Sequence, residues 1–203
     1  MKKIKDYYFK KAKQEGYPAR SVYKLKEAQS KFKLLRRGYN VLDLGAAPGA
    51  WSKYTSEIVG KKGKVVAIDI KNINPPAPNV ITIKADVFNI LPKELLEQIG
   101  KNKKFDVVLS DMAPNTTGRK DVDHLRSIAL AEAALNICKE VLKKGGDFFC
   151  KVFEGSDLPA FRKFCQNHFK NVKVFKPKSS RSESVEIFLY AQGFNPPTND
   201  NNL

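Results

Sequence analysis

The chain has 203 residues and is 42% hydrophobic, which is enough for one domain core and excludes both a wholly disordered protein and a second large domain. Thirty-seven Lys and Arg against 21 Asp and Glu give a formal charge of +16, favouring an anionic partner, nucleic acid ahead of an acidic membrane. Cys138, Cys150 and Cys165 contain no CxxC pair and meet only two histidines, His124 and His168, so neither a disulfide frame nor a metal site is expected.

Residues 1–40 hold 13 basic and 3 acidic side chains, a net +10. Within them, Val22, Leu25, Ala28, Phe32 and Leu35 recur after Ser21 at close to helical spacing. The plain reading is a solvated helix face; the reading favoured by the local charge is a basic platform for phosphates. A basic helical extension over 1–38 is therefore expected to pack on a domain spanning 39–194. Residues 195–203, with two prolines and four asparagines, read as a disordered tail.

From residue 39 the pattern alternates. Strands are expected at Tyr39–Leu44, Lys64–Ile70, Val80–Lys84, Phe105–Ser110, Asp147–Phe153, Val172–Phe175 and Ser184–Ala191. Helices are expected over Pro92–Ile99, with Pro at the start and Gly100 beyond the end, over Arg126–Lys144, stopped by Gly145, and over Leu158–Phe169, capped by Asp157. Phe105–Leu109 is apolar on both faces, as a buried parallel strand should be. Seven strands with intervening helices predict an α/β fold with a mostly parallel, doubly wound sheet, helices on both faces. No run reaches the ~18 apolar residues of a membrane span, and the first thirty residues lack a secretory apolar region. A soluble protein that is neither secreted nor membrane-bound is expected.

The strongest local signal is Asp43-Leu44-Gly45-Ala46-Ala47-Pro48-Gly49-Ala50-Trp51, a strand ending in an acid and then a turn of small residues entering a helix. Glycine there admits a ligand close to the backbone. The turn is neither GxGxxG nor a P-loop, which disfavours NAD and nucleoside triphosphates. Asp69, 26 residues after Asp43, ends the second strand where an acid commonly accepts ribose hydroxyls. Asp86 ends the third and can receive an adenine amino group. A nucleoside cofactor without a pyrophosphate follows, and S-adenosyl-L-methionine fits that description.

Two ionisable groups interrupt apolar strands: Lys151 in Phe148–Phe153 and Glu186 in Ser184–Leu189. An unpartnered buried charge costs several kcal/mol, so each needs a partner; the alternative for Lys151 is a strand end from which it reaches water. Asp111 opens Asp111-Met112-Ala113-Pro114-Asn115, at the edge where open α/β sheets bind ligands.

At these residues the sequence resembles the FtsJ (RrmJ) family of RNA 2′-O-ribose methyltransferases, from about Asp6 to Gly193. The resemblance rests on Arg20-Ser21-Val22-Tyr23-Lys24-Leu25, the Asp43–Trp51 loop, Ser110–Asn115, Cys150-Lys151-Val152 and Ser179–Ala191. It implies a Rossmann-like methyltransferase fold and a Lys-Asp-Lys-Glu tetrad at Lys24, Asp111, Lys151 and Glu186, with Lys151 as the proton acceptor and Glu183 as a nearby rival to Glu186. It also implies S-adenosyl-L-methionine at Gly49, Trp51, Asp69, Asp86 and Asp111, to which the acid-ended strand and its small-residue turn add Asp43 and Gly45 as expected cofactor residues. A free lysine near pKa ~10.4 is mostly protonated at neutral pH; burial and Lys24 should lower that of Lys151, while Asp111 and Glu186 should raise it.

The wording of the Asp43–Gly49 and Asp111–Asn115 segments is similar to the branch acting on large-subunit ribosomal RNA, bacterial and mitochondrial. It implies a uridine of the peptidyl-transferase-centre loop as target, and ribosomal RNA or the large subunit as partner of a monomer. The implied location is the cytoplasm for a bacterial source, or a mitochondrion or other organelle for a eukaryotic one. A transfer-RNA 2′-O-methyltransferase of the same family and a non-catalytic RNA-binding assembly factor stay open as alternatives. Phosphates are expected to meet the 1–40 platform and Arg119, Lys120 and Arg181.

Overall fold

The computed structural model describes residues 2–181 and 183–196; the expected tail lies outside them from residue 197 onward. Seven strands form one sheet in the order β3-β2-β1-β4-β5-β7-β6. Here β1 is Asn40–Leu44, β2 Lys64–Asp69, β3 Val80–Lys84, β4 Phe105–Ser110, β5 Leu142–Phe153, β6 Phe169–Phe175 and β7 Glu186–Phe194. The pairs among β1 to β5 are parallel, and β7 runs antiparallel to both β5 and β6. Chain order reverses between β1 and β4, so the turns leaving these two strands open beside each other at the carboxyl edge, where such sheets hold ligands.

Two layers of helices bury the sheet. On one face, α4 (Pro92–Ile99), α5 (Lys120–Val141) and α6 (Leu158–Gln166) supply Leu95, Leu135 and Phe161 to a cluster with Val108, Phe148 and Leu189. On the other, α2 (Val22–Phe32) and α3 (Ala50–Val59) place Leu25, Ala28 and Trp51 against Val41, Leu109, Phe149 and Phe188. Helix α1 (Lys2–Gln14) joins through Ala12, which clusters with Tyr17, Val22, Tyr23 and Ala50. The basic amino-terminal helices therefore share a core with the domain.

Three helix ends differ from the sequence expectation. Helix α5 begins at Lys120, not Arg126, and stops at Val141; the carboxylate of Asp123 takes the N–H groups of Thr117 and Gly118 and secures the earlier start. Leu142 then leaves the helix directly as strand, 1% exposed and paired with Phe105. Gly145 and Gly146 serve an irregular strand entry, where a Cβ on Gly146 would lie 2.8 Å from Leu142 and 2.9 Å from the carbonyl of Asp106. Phe169, expected to close α6, instead opens β6 opposite Phe194 and stacks on Phe148. Its four-residue spacing from Cys165 mimics a helical stripe, but burial against β7 decides its backbone.

Candidate active site

The β1–α3 turn is held by its own backbone. The N–H groups of Gly45 and Ala46 both donate to the carbonyl of Ile68, and that of Ala47 donates to Asp69 Oδ2 at 3.0 Å. Gly45 has φ +73°, and a Cβ there would meet Met112 Cγ at 2.6 Å, its N at 2.8 Å and its Cα at 2.9 Å. Only glycine lets this turn lie against the turn leaving β4, whose Asp111 N–H donates to the carbonyl of Leu44.

Between the ends of β1, β2, β3 and β4 is a cavity of about 420 Å³, walled by Gly45, Asp69, Asp86, Asp111 and the 112–115 segment, with Ile68, Val87 and Leu130 as apolar surface. Pockets of this size take small molecules. Asp69 orders the turn through Ala47 and accepts from the N–H of Lys71; Asp86 accepts from the N–H of Phe88. Beneath them Asp43 is fully buried. Its Oδ2 accepts from Ser52 Oγ at 2.6 Å, while its Oδ1 is buried without a hydrogen-bond partner. Burial, with the charges of Asp111 and Asp69 adding, pushes its carboxyl up to about 7. Three acids, Asp69, Asp86 and Asp111, line the cavity and suit a nucleoside that carries positive charge, whereas Asp43 is fully buried and forms no part of its wall.

Not every expected cofactor residue forms a wall. Trp51 lies outside the cavity, 2% exposed, packed against Phe149 and Phe188, which stack on each other, with its indole N–H donating to the carbonyl of Ser21. Its side chain fastens the start of α2 to α3. Gly49, at φ +99°, begins α3 beside Ile73 and Pro76 and shapes the turn from behind.

Lys24, Asp111, Lys151 and Glu186 come from four separate elements and meet. Lys151, near the carboxyl end of β5, is 6% exposed; its Nζ donates to the carbonyl of Asp111 at 2.6 Å and to Asp111 Oδ1 at 3.0 Å. Glu186 Oε2 lies 3.8 Å from the same nitrogen, and Glu186 Oε1 pairs with Lys24 Nζ at 2.6 Å. The charge buried in β5 thus has the partner that its burial demanded. Pairing of Lys151 with Phe188 and of Phe153 with Glu186 brings the acid to the right end of the sheet. The other candidate acid, Glu183, precedes β7 in the connecting segment.

A second cleft, about 300 Å³, opens on the far side of the tetrad between Arg20, Ser21, Lys24, Ser180, Arg181 and Glu186. Asp111 borders the first cavity, Lys24 and Glu186 border this one, and Lys151 links the two sides. Sequence reasoning missed what builds this cleft. Glu27 of α2 accepts the N–H groups of Lys178 and Ser179 at 2.7 and 2.8 Å. The guanidinium of Arg20 donates to the carbonyl of Ser179, and Ser180 Oγ donates to Glu186 Oε1. A lone acid in a basic helix was the available signal. Arg119 and Lys120 are exposed at the start of α5, and Arg119 pairs with Asp121. Arg181 lines the cleft.

The model of the FtsJ-like methyltransferase family matches residues 17–194. The chain belongs to that family. The match begins at Tyr17, so the family unit includes α2, which brings Lys24. Among FtsJ-like relatives, the ribosomal RNA large subunit methyltransferase E of Desulfatibacillum aliphaticivorans is 51% identical over 91% of this chain and 88% of its own length. The protein of the same name from Brachyspira hyodysenteriae is 47% identical over 96% of this chain and 98% of its own. A crystal structure from Plasmodium falciparum, described as a ribosomal RNA methyltransferase, superimposes with a TM-score of 0.79 at 30% identity, covering 88% of this chain and 98% of that one. The fold is that of Rossmann-like methyltransferases.

Proposed function

We propose that the protein methylates the 2′-hydroxyl of a uridine ribose in large-subunit ribosomal RNA, with S-adenosyl-L-methionine as donor. The observation that carries this reading is the tetrad between two clefts, one acidic and nucleoside-sized, the other bearing Arg20, Lys24 and Arg181. A transfer-RNA substrate shares the chemistry, but the relatives are named for large-subunit ribosomal RNA. A pure RNA-binding role leaves the buried Lys151 and its partners without a use. Those relatives come from bacteria, which favours a cytoplasmic setting over an organelle. Among the described residues no helix is long and apolar enough to cross a membrane.

The acids fit the donor. Asp69 and Asp86 would take hydroxyl and amino groups of the nucleoside, while Asp111 would offer negative charge to its cationic end. When bound, the donor supplies an electrophilic methyl group. The residues then have to align a ribose oxygen with it and take up the hydroxyl proton; alignment alone contributes ~7–11 kcal/mol.

Lys151 is placed for the proton. Two acceptors of Asp111 occupy two of its N–H groups, so in the neutral amine the lone pair remains for the hydroxyl proton. Lys151 would take the hydroxyl proton, leaving the electron pair of that O–H bond on the ribose oxygen to bond the methyl group that bound S-adenosyl-L-methionine would supply. Asp111 orients the amine, and Lys24 with Ser180 holds Glu186 beside it. Arg20, Lys24 and Arg181 meet phosphates flanking the target. A synthetic RNA with deoxyribose at the target uridine tests the chemistry: it should bind with little loss, since the 2′-OH is one contact among many phosphates, yet accept no methyl group. Methyl transfer to it at the normal rate would overturn the reading.

A further inference from the structure

The parallel strands place their tetrad-bearing ends at one edge of the sheet and their entrances at the other. Each of four entrances is a dibasic pair: Lys61-Lys62 before β2, Arg36-Arg37 before β1, Lys103-Lys104 before β4, and Lys143-Lys144 just inside β5. Those four strands are consecutive neighbours, in the order β2-β1-β4-β5. All eight side chains are exposed. At the usual ~4.8 Å between neighbouring strands, the strand entrances alone form a row about 14 Å long.

Few of these charges are spent internally. Lys143 pairs with Asp106, and Lys104 donates to the carbonyl of Glu140 near the end of α5. Cations do balance the negative carboxyl ends of helices, but within the last turn and for one or two groups, as Lys104 does here. Arg36, Arg37, Lys61, Lys62, Lys103 and Lys144 make no side-chain hydrogen bond or salt bridge among the described residues. At the β5 end the row continues into a polar cleft of about 360 Å³ lined by Lys33, Arg36, Lys170, Asn171 and Gln192, and by Asp147, whose carboxylate accepts from Tyr190 and the N–H of Gly193 and faces Arg36.

A row of free cations beside amide groups matches a nucleic-acid backbone: fixed negative charge at regular intervals, neutralised with release of counterions. It does not reach the methylated nucleotide. Strand β4 alone, six residues at ~3.3 Å each, separates this edge from Asp111 by about 20 Å. We infer that the strand-entrance edge is a second RNA-docking surface, which grips the backbone of a helical RNA segment remote from the target ribose, without reading its sequence. The inference rests on the RNA-methyltransferase reading for its biological sense. It predicts a preference for large folded RNA over short fragments, because only a long substrate reaches both edges.

The test is the quadruple variant R37Q/K62Q/K103Q/K144Q, one free cation from each pair, with K62R/K103R/K144R as the charge-keeping control. Binding to an RNA duplex lacking any target is titrated against salt by fluorescence anisotropy. Methyl transfer is measured separately on full-length large-subunit RNA and on a short hairpin containing the target. The glutamine variant should flatten the salt dependence of duplex binding by about 3 to 4 in log–log slope. On full-length RNA it should lose on the order of tenfold in kcat/KM, while the hairpin is methylated as before and the arginine variant matches wild type. An unchanged slope overturns the inference. So do equal losses on both RNAs, or weakened binding to phosphatidylglycerol vesicles with duplex binding intact. If wild type methylates neither RNA, the catalytic reading fails, and the duplex titration still decides the role of this edge.

Discussion

Gly45→Ala probes the contact that makes the cavity. At φ +73° an alanine lies in left-handed backbone, which costs about 1–2 kcal/mol. Its Cβ would also sit 2.6 Å from Met112 Cγ, 2.8 Å from Met112 N and 2.9 Å from Met112 Cα. The side-chain atom can swing away, whereas the two backbone atoms cannot move without carrying Asp111 and the cavity wall. Overpacking of this kind adds about 1–3 kcal/mol, for a total near 2–5 kcal/mol. In a domain of this size that lowers Tm by roughly 4–20 °C, at about 2–4 °C per kcal/mol. Gly38→Ala is the internal control: φ is +81° and no atom lies within 4 Å of the added carbon, so only the backbone cost of about 1–2 kcal/mol applies. Thermal unfolding gives the stability and titration calorimetry the affinity for S-adenosyl-L-methionine. Gly45→Ala should be the less stable of the two and alone should weaken donor binding. Equal stability and unchanged affinity in both variants would refute the close-approach argument.

Asp43, with its carboxyl raised from 3.8 to about 7, resists ionising in the folded state more than in the unfolded one. Its contribution is therefore fully favourable below pH ~4, declines as pH rises from 3.8 to about 7, and is constant above, a swing on the order of 4 kcal/mol. The pH dependence of urea unfolding for wild type minus Asp43→Asn should show that decline; a flat difference would contradict it. Glu27→Ala removes the acceptor of two backbone N–H groups. Charge-assisted bonds are worth about 1.5–3 kcal/mol each, so the backbone at Lys178 and Ser179 should loosen. Turnover should then fall while donor affinity measured by calorimetry holds; equal loss of donor affinity would show that Glu27 supports the whole fold.

Much of this was legible because burial forces a charge to declare itself. Lys151 and Glu186 interrupt strands that are otherwise apolar, and the only cheap solution is mutual pairing, which the structure shows with Asp111 and Lys24 completing the set. Five parallel strands were readable from apolar runs between helical stretches for the same reason. What was not readable depended on contacts distant in sequence. Phe169 looks helical beside Phe161 and Cys165 until Phe194 pairs with it, and Leu142 looks helical until Phe105 does. Trp51 looks like a ligand platform from its position after the turn, yet its environment is Phe149 and Phe188, from strands almost 100 residues or more away. The clamp of Arg20 and Glu27 on Ser179 spans more than 150 residues, and no local pattern announces it.

In the proposed reaction Lys151, held by Asp111 beside Glu186, accepts the proton of a ribose 2′-hydroxyl. This step is tested most directly by giving wild type and Lys151→Met labelled S-adenosyl-L-methionine with large-subunit ribosomal RNA, then locating the label in alkali-digested product. Wild type should leave the label in an alkali-resistant dinucleotide, as a 2′-O-methyl group does, and the variant should bind donor normally while turning over about 10²–10⁴-fold more slowly. Label recovered on a base, or full turnover by Lys151→Met, would contradict the account.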